Sequence, residues 1–438
     1  MTYRRFLPSA LCVIGAVALT VAGCAHSYTP ASTPGSDGAT GTAPGPGGAP
    51  GALQSCVSSS PSPLPSPVAS LFTAAVARTK GVPGGAIGFY QNGSAYVYYW
   101  GYADQSNGTC MGPSSIMELG SLTKTFTAML IAQAYNSGLV SVSDNPATYI
   151  DTLSGGDTVG AGCASPPTPT PVPTAAYGDM AQMTVSMLTT HTSGLPDTPP
   201  GGSDLKTRPC YSPNELIQFV ETFPSPSPPS PTPHAYNYSN IGFGTLGYVI
   251  QGIYKQDWFA VTKSKILTPL AMSNTYDVLA VPTPHAQGYN CDGTTPVQPW
   301  PLDAWPAAGA LRSTLPDMMK YLAAAMQQTG TPDSISQAMA LAETPVSGIL
   351  TSGGAPQAMA WAIPTSHKVP MISKDGVTNG FNSWIGMIAP ATGAPTVGVV
   401  VLTNRAPVDP TPPPDATCAP YVGAPADRIG IYILENAP

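Results

Sequence analysis

The stretch ELGSLTKTFTAML, Glu118 to Leu130, places a serine three residues before a lysine at the point where an apolar run of helical period begins. Phe126, Met129, Leu130 and Ala134 recur at that spacing, which predicts a helix starting near Ser121. Ser121 and Lys124 then share a face on its first turn. A helix N-terminus supplies unpaired amide donors and the positive end of the dipole, which favour a developing anion. A lysine held there loses its proton more easily and can activate the serine, whose free hydroxyl is a weak nucleophile. The tetrapeptide alone equally fits a serine N-cap beside a solvated lysine, so its meaning depends on its companions.

Two companions follow in order. AYNYSNIGFG sets Tyr238, Ser239 and Asn240 directly ahead of a helix, and ISKDGVTNGFNSWIGMI sets Lys374, Asp375 and Gly376 between two strand-like runs. With Ser121 and Lys124, these segments resemble the three motifs S-x-x-K, Y-x-N and K-T-G of the penicillin-recognising serine hydrolases, in particular the class C β-lactamase and DD-peptidase branch. VTNGF (Val377 to Phe381), GLVSVSDNPATYI after the first helix, HTSGLP at 191 to 196 and AAGALRSTLPDMMKYL at 307 to 322 extend the likeness over about residues 66 to 436.

The resemblance implies a role for each matching residue. Ser121 would be the nucleophile and Lys124 its proton-transfer partner. Tyr238 would be a base toward the serine and the deacylating water, its pKa lowered from about 10 by neighbouring lysines. Asn240 would orient Lys124 and the substrate amide, and Lys374 would add positive potential. The amides of Ser121 and Val377 would form an oxyanion hole, worth about 3 kcal/mol per donor. No E-x-x-L-N stretch offers the carboxylate base of class A enzymes. The sequence departs from the pattern at Asp375, where the family most often has threonine. A carboxylate there would repel a substrate carboxylate or pair with Lys374. The implied chemistry is acyl transfer from a peptide, β-lactam or ester, with no cofactor. DD-peptidase or peptide hydrolase action stands first, β-lactamase second and carboxylesterase third. A slow-turnover penicillin-binding sensor is the alternative of another class.

The rest of the chain is consistent with an α+β fold: an antiparallel sheet flanked by helices, with an all-helical subdomain. A helix over 68 to 80 puts Val68, Leu71, Phe72, Ala75 and Val76 on one face. GAIGFYQNGSAYVYYWGYAD, Gly85 to Asp104, reads as a hairpin turning at Asn92 and Gly93. Capping boxes are expected at Ser212 with Glu215 and at Thr314 with Asp317. Strands are expected at Met371–Lys374, Phe381–Ile388 and Pro395–Thr403, and a last helix at Ala424–Glu435. The Tyr-rich run Tyr96 to Tyr102 reads as sheet packing, His191 as a loop residue bonded to backbone, and Asp144 as a turn organiser. No G-x-S-x-G elbow or Gly-rich phosphate loop is present.

The 438 residues carry only 9% charged side chains and 52 prolines, and the prolines cluster. MTYRRFLPSALCVIGAVALTVAGCAH begins with Arg4 and Arg5, continues with an apolar stretch and ends in small residues, so residues 1–23 read as a secretory signal. Val21 to Cys24 resembles the bacterial lipobox, which implies lipidation of Cys24 and attachment at the outer side of a membrane. Residues 24–65 hold almost no large apolar side chain and read as a tether, about 35 Å end to end. Residues 66–438 then form the hydrolase domain, with the proline tracts at 166–173, 224–233 and 409–414 as expanded surface loops. Loss of residues 1–23 leaves 14 basic and 23 acidic side chains, which disfavours nucleic acid as a partner. Six cysteines remain beyond Cys24, namely Cys56, Cys110, Cys163, Cys210, Cys291 and Cys418; they allow three disulfides in 15 connectivities. None has paired zinc-ligand spacing, so no structural metal is expected.

Overall fold

Asn92 and Gly93 both take positive φ, 49° and 83°, as a two-residue type I′ turn requires. They join β1 (Gly84–Gln91) to β2 (Ser94–Asp104) in antiparallel register from Gln91↔Ser94 to Gly84↔Gly101. The computed structural model describes residues 56, 58–150, 180–198, 213–222, 235–277, 281–282, 285–299, 302, 305–408, 418 and 423–438. The short β3 (Thr109–Cys110) extends the hairpin on one side. From the far end of the chain come β4 (Met371–Val377), β5 (Asn382–Ile388) and β6 (Val397–Thr403). The sheet order is β3-β2-β1-β6-β5-β4 with every neighbour antiparallel. β4 continues past Lys374 to Val377, because its pairing with β5 runs on to Val377↔Asn382. Lys374, Asp375 and Gly376 therefore lie within an edge strand rather than between strands.

The period-two alternation sends successive side chains to opposite faces. Ile87, Phe89, Val399 and Val401 face one way, toward α1 (Ser66–Val76) and the last helix, α6 (Pro425–Glu435). Phe72 of α1 meets Phe89 edge-on at 6.1 Å and Tyr98 at 5.8 Å, so the tyrosine-rich run does pack the sheet. α1 ends four residues before the expected Lys80, and Gly81 then turns the chain with φ 65°. On the opposite face Ala86, Val400 and Leu402 join the larger core.

That core is the helical middle. α2 (Thr123–Asn136) is buried on every side from Thr123 to Ala134, as a helix walled in by neighbours must be. Its neighbours include α3 (Asn240–Tyr254) and α5 (Asp333–Ala342), while α4 (Leu315–Ala325) lies under β1. The capping box expected at Thr314 does not form. Thr314 makes no side-chain cap, and Asp317 instead accepts from the Asn274 amide at 2.6 Å and from Thr275 at 3.1 Å. Ser212 of the other box lies outside the described residues, although that helix does begin at Pro213. Asp144 organises its turn as expected, accepting from the Ser141 amide at 2.7 Å and from the Tyr149 hydroxyl.

Disulfides join Cys56 to Cys110 and Cys291 to Cys418. Ser59 exchanges two main-chain hydrogen bonds with Tyr99 of β2, so the chain already touches the sheet ahead of α1. The signal, Cys24, Cys163, Cys210 and the three proline tracts fall outside the described residues. Among the described residues no helix is long and apolar enough to cross a membrane.

Candidate active site

A single 3-10 turn, Gly120–Leu122, leads into α2 and carries Ser121. Two glycines let this turn lie backbone against backbone on the edge strand β4. Gly120 has φ 52°, and a Cβ there would sit 2.6 Å from the Val377 carbonyl. A Cβ on Gly376 would sit 2.0 Å from the Leu119 carbonyl and 2.4 Å from Ser383 Oγ. Ser383 Oγ also donates to the Leu119 carbonyl at 2.6 Å. The Val377 peptide and the Ser121 turn are thus held side by side.

Lys124, one helical turn on, is fully buried. Its Nζ lies 3.0 Å from Ser121 Oγ, 2.7 Å from the Ala308 carbonyl and 2.5 Å from Asn240 Oδ1. Burial, reinforced by the charge of Lys374, holds its pKa well below the usual lysine value, against opposing pulls from Asp197 and Asp375. A neutral amine has two N–H groups and one lone pair. The Ala308 and Asn240 oxygens can only accept, so together they take both N–H groups. In that neutral form the lone pair would be left for the hydroxyl of Ser121.

Ser239 caps α3 through the Gly242 amide at 2.9 Å and donates to the Pro196 carbonyl at 2.7 Å. That cap fixes the residues on either side of it. Tyr238 sends its hydroxyl to Ser121 Oγ at 2.7 Å, across 117 residues of sequence. Asn240, the first residue of α3, faces Lys124 with its oxygen and donates from Nδ2 to Asp197 Oδ1 at 2.8 Å. Asp197 also accepts the Asn240 amide on its carbonyl at 3.2 Å. Sequence reasoning missed Asp197. It directly follows HTSGLP, and only the fold shows that its carboxylate decides which way the Asn240 amide points.

Lys374 is buried, and its Nζ donates to both the carbonyl and Oδ1 of Asp375, each at 2.8 Å. The Asp375 side chain is 51% exposed. Burial alone would lower the Lys374 pKa, but Asp375 and Tyr238 outweigh it and hold the ammonium above its ordinary value. For the half-exposed Asp375, partial loss of water raises the carboxyl, but the Lys374 charge and hydrogen bond outweigh that and hold it below its usual range. Behind β4, Asn382 donates to the Gly376 carbonyl and to Asp427 Oδ1, each at 3.1 Å. Burial and the neighbouring Asp375 charge push Asp427 up to about 8, with Asn382 and Lys374 opposing.

The structure brings Ser121, Lys124, Tyr238, Asn240 and the Lys374–Val377 strand together at one site; Cys24 is outside the described residues. One expectation is overturned. Tyr238 is not acidified by its lysine neighbours: burial pushes the phenol up to about 12, and the charge of Lys374 offsets only part of that rise. Loss of water around the phenol oxygen is the largest influence; the Asp375 and Asp197 charges add to it, while Lys374 and the hydrogen bond to Ser121 oppose it. Of the two groups touching Ser121 Oγ, Lys124 has its pKa lowered and Tyr238 has its pKa raised. Among the described residues no three His, Cys, Asp or Glu side chains gather so as to hold a metal ion.

Comparison with known proteins gives a consistent result. The sequence profile of the family described as Beta-lactamase matches residues 68–419. A beta-lactamase of Lysobacter lactamgenus is 24% identical over 368 residues, covering 76% of this chain and 85% of that protein. A beta-lactamase of Escherichia coli K12 is 25% identical over 370 residues, covering 74% and 84%. In fold, a class C beta-lactamase superposes with TM-score 0.64 at 22% identity, over 85% of this chain and 96% of the other. A D-alanine carboxypeptidase AmpC from Burkholderia cenocepacia superposes with TM-score 0.59 at 23% identity, over 82% and 99%.

Proposed function

The chain belongs to the Beta-lactamase family and is a serine hydrolase, and from that premise we propose that it works through an acyl-enzyme on Ser121. The observation that carries this reading is that Ser121 Oγ sits between Lys124 Nζ, at 3.0 Å, and the Tyr238 hydroxyl, at 2.7 Å.

In the proposed reaction, Ser121 Oγ attacks the acyl carbon as its proton passes to neutral Lys124. The Ser121 and Val377 amides receive the developing oxyanion. The leaving amine or alkoxide takes a proton from the Tyr238 hydroxyl, which regains one from Lys124. A weakly acidic phenol suits that donor role better than a base role. In deacylation, water gives a proton to Lys124 and the acyl group leaves as the acid, while Ser121 Oγ recovers its proton. Asn240, fixed by Asp197, holds Lys124 in place and faces the substrate amide.

For substrate we propose short peptides of the cell wall, with DD-peptidase action first. The likeness to a D-alanine carboxypeptidase and to beta-lactamases supports amide-type acyl donors. Ester hydrolysis is a second reading, favoured by the Lys374–Asp375 pair, which leaves less positive charge to meet a substrate carboxylate. We further propose export by residues 1–23 and a lipid anchor at Cys24, on the sequence pattern alone.

Intact mass against time, with benzylpenicillin and with 4-nitrophenyl acetate, tests the nucleophile. An adduct that disappears in Ser121→Ala supports the reading; an adduct that persists in that variant overturns it.

A further inference from the structure

Three local penalties meet on His191. Its φ is 59°, a conformation that side chains other than glycine and asparagine seldom adopt. The ring is buried, 1% exposed. Nδ1 accepts the Ser239 amide at 3.0 Å, which puts the proton on Nε2, and Nε2 has no hydrogen-bond partner among the described residues. Local costs of this kind concentrate where the surroundings enforce a functional geometry.

What His191 holds is Tyr238. The residue before Tyr238, Asn237, donates its amide to the His191 carbonyl at 2.8 Å, and the residue after it, Ser239, donates to Nδ1. His191 therefore brackets Tyr238 by accepting from the main-chain amides on both sides, one on its carbonyl and one on its ring. Its ring also stacks on the Tyr238 ring, centroids 4.4 Å apart and planes 29° apart, while Phe243 and Tyr236 close round it at 5.1 and 5.5 Å. The positive φ is what aims carbonyl and ring at the same three-residue segment. An aliphatic side chain would lose both bond and stack. Phenylalanine would keep only the stack, and asparagine only the acceptor.

We infer that His191 is a positioning residue for the acylation step: it clamps Tyr238 so that the phenol hydroxyl stays on Ser121 Oγ. This rests on the role of Tyr238 proposed above. Neutrality of the ring suits the task, since burial and the charges of Lys124 and Lys374 hold its pKa well below the ordinary histidine value. A further cation beside the Tyr238 ring, next to Lys374, is thereby avoided.

The test is a double-mutant cycle on the full chain, reading the pre-steady-state acylation rate with benzylpenicillin, whose leaving amine, unlike nitrophenolate, needs a proton. His191→Asn keeps an acceptor and tolerates the positive φ; His191→Phe keeps the ring face. Each is expected to slow acylation, by up to about 100-fold, as small misplacements of a reacting group do. KM should stay within about threefold, because no substrate contact is removed. In a Tyr238→Phe background neither change should slow the reaction further. Losses that multiply in that background overturn the inference, as does His191→Asn reacting at the wild-type rate. If neither variant folds, by circular dichroism, His191 belongs to the fold and the inference fails. A Tyr238→Phe protein that acylates at the wild-type rate removes the underlying role of Tyr238, a different failure from multiplying losses.

Discussion

Lys374 spends its charge on its own neighbour: its Nζ lies 2.8 Å from Asp375 Oδ1 and donates to the Asp375 carbonyl as well. Asp375→Asn removes the carboxylate while leaving Lys374 in place. Acylation by benzylpenicillin, which brings a carboxylate, should then rise relative to acylation by 4-nitrophenyl acetate by about tenfold, equivalent to about 1.4 kcal/mol. An unchanged ratio between the two probes would show that the pair does not govern charge selection.

Lys124 Nζ is held by the Asn240 and Ala308 oxygens within 3.0 Å of Ser121 Oγ, where in its neutral form it can take the serine proton. Lys124→Met should fold and still lower the acylation rate by about 1000-fold, within the range of lost general-base catalysis. Burst kinetics with 4-nitrophenyl acetate measures it, and a loss under tenfold would shift the base assignment to another group.

In the proposed reaction Lys124 acts in its neutral form, and burial places its pKa well below the usual lysine value. Acylation should therefore fall as pH drops through that depressed value and hold level above it. Because Tyr238 is pushed up to about 12, no alkaline limb is expected below roughly pH 11. A kcat/KM profile that declines near pH 10 would contradict the protonated-phenol assignment.

Asp427 is raised to about 8, above the unfolded carboxyl value of about 4. Between those values the folded state binds more protons than the unfolded one. Its contribution to stability is therefore complete below about pH 4 and is lost as pH rises through about 8. Thermal melts of Asp427→Asn should show a flatter decline in Tm between pH 5 and 9 than the parent. Parallel curves would mean that Asp427 titrates as an ordinary carboxylate.

Gly376→Ala would drive a Cβ to 2.0 Å from the Leu119 carbonyl, against backbone that cannot step aside cheaply. Destabilisation of ~1–3 kcal/mol is expected, typical of overpacking, together with loss of acylation as β4 leaves the Ser121 turn. A variant with unchanged Tm and rate would show that the close approach is dispensable.

Much of the fold can be read from local pattern. Period-two runs around Asn92 and Gly93 specify the first hairpin, because only one register buries Ile87 and Phe89 together. The apolar periodicity after Ser121 specifies α2. Other details escaped because a competing partner won. Asp317 abandoned the cap at Thr314 for Asn274 and Thr275, residues that are distant in sequence. β4 ran on through Gly376 because a neighbouring strand continued to pair with it, which its own residues do not announce.

The same division holds at the site. By itself the sequence determined the chemistry on offer, since a serine, two lysines, a tyrosine and an asparagine in three ordered motifs are covalent facts. It also flagged Asp375 as the departure. The tertiary structure alone decided which way each group's pKa moves, because a pKa depends on burial and on charges brought in from elsewhere in the chain. Folding lowers Lys124, raises Tyr238 and closes the Lys374–Asp375 pair. It also recruits Asp197 and His191, whose hydrogen bonds to Asn240 and Ser239 span 43 and 48 residues of chain that only the fold brings together.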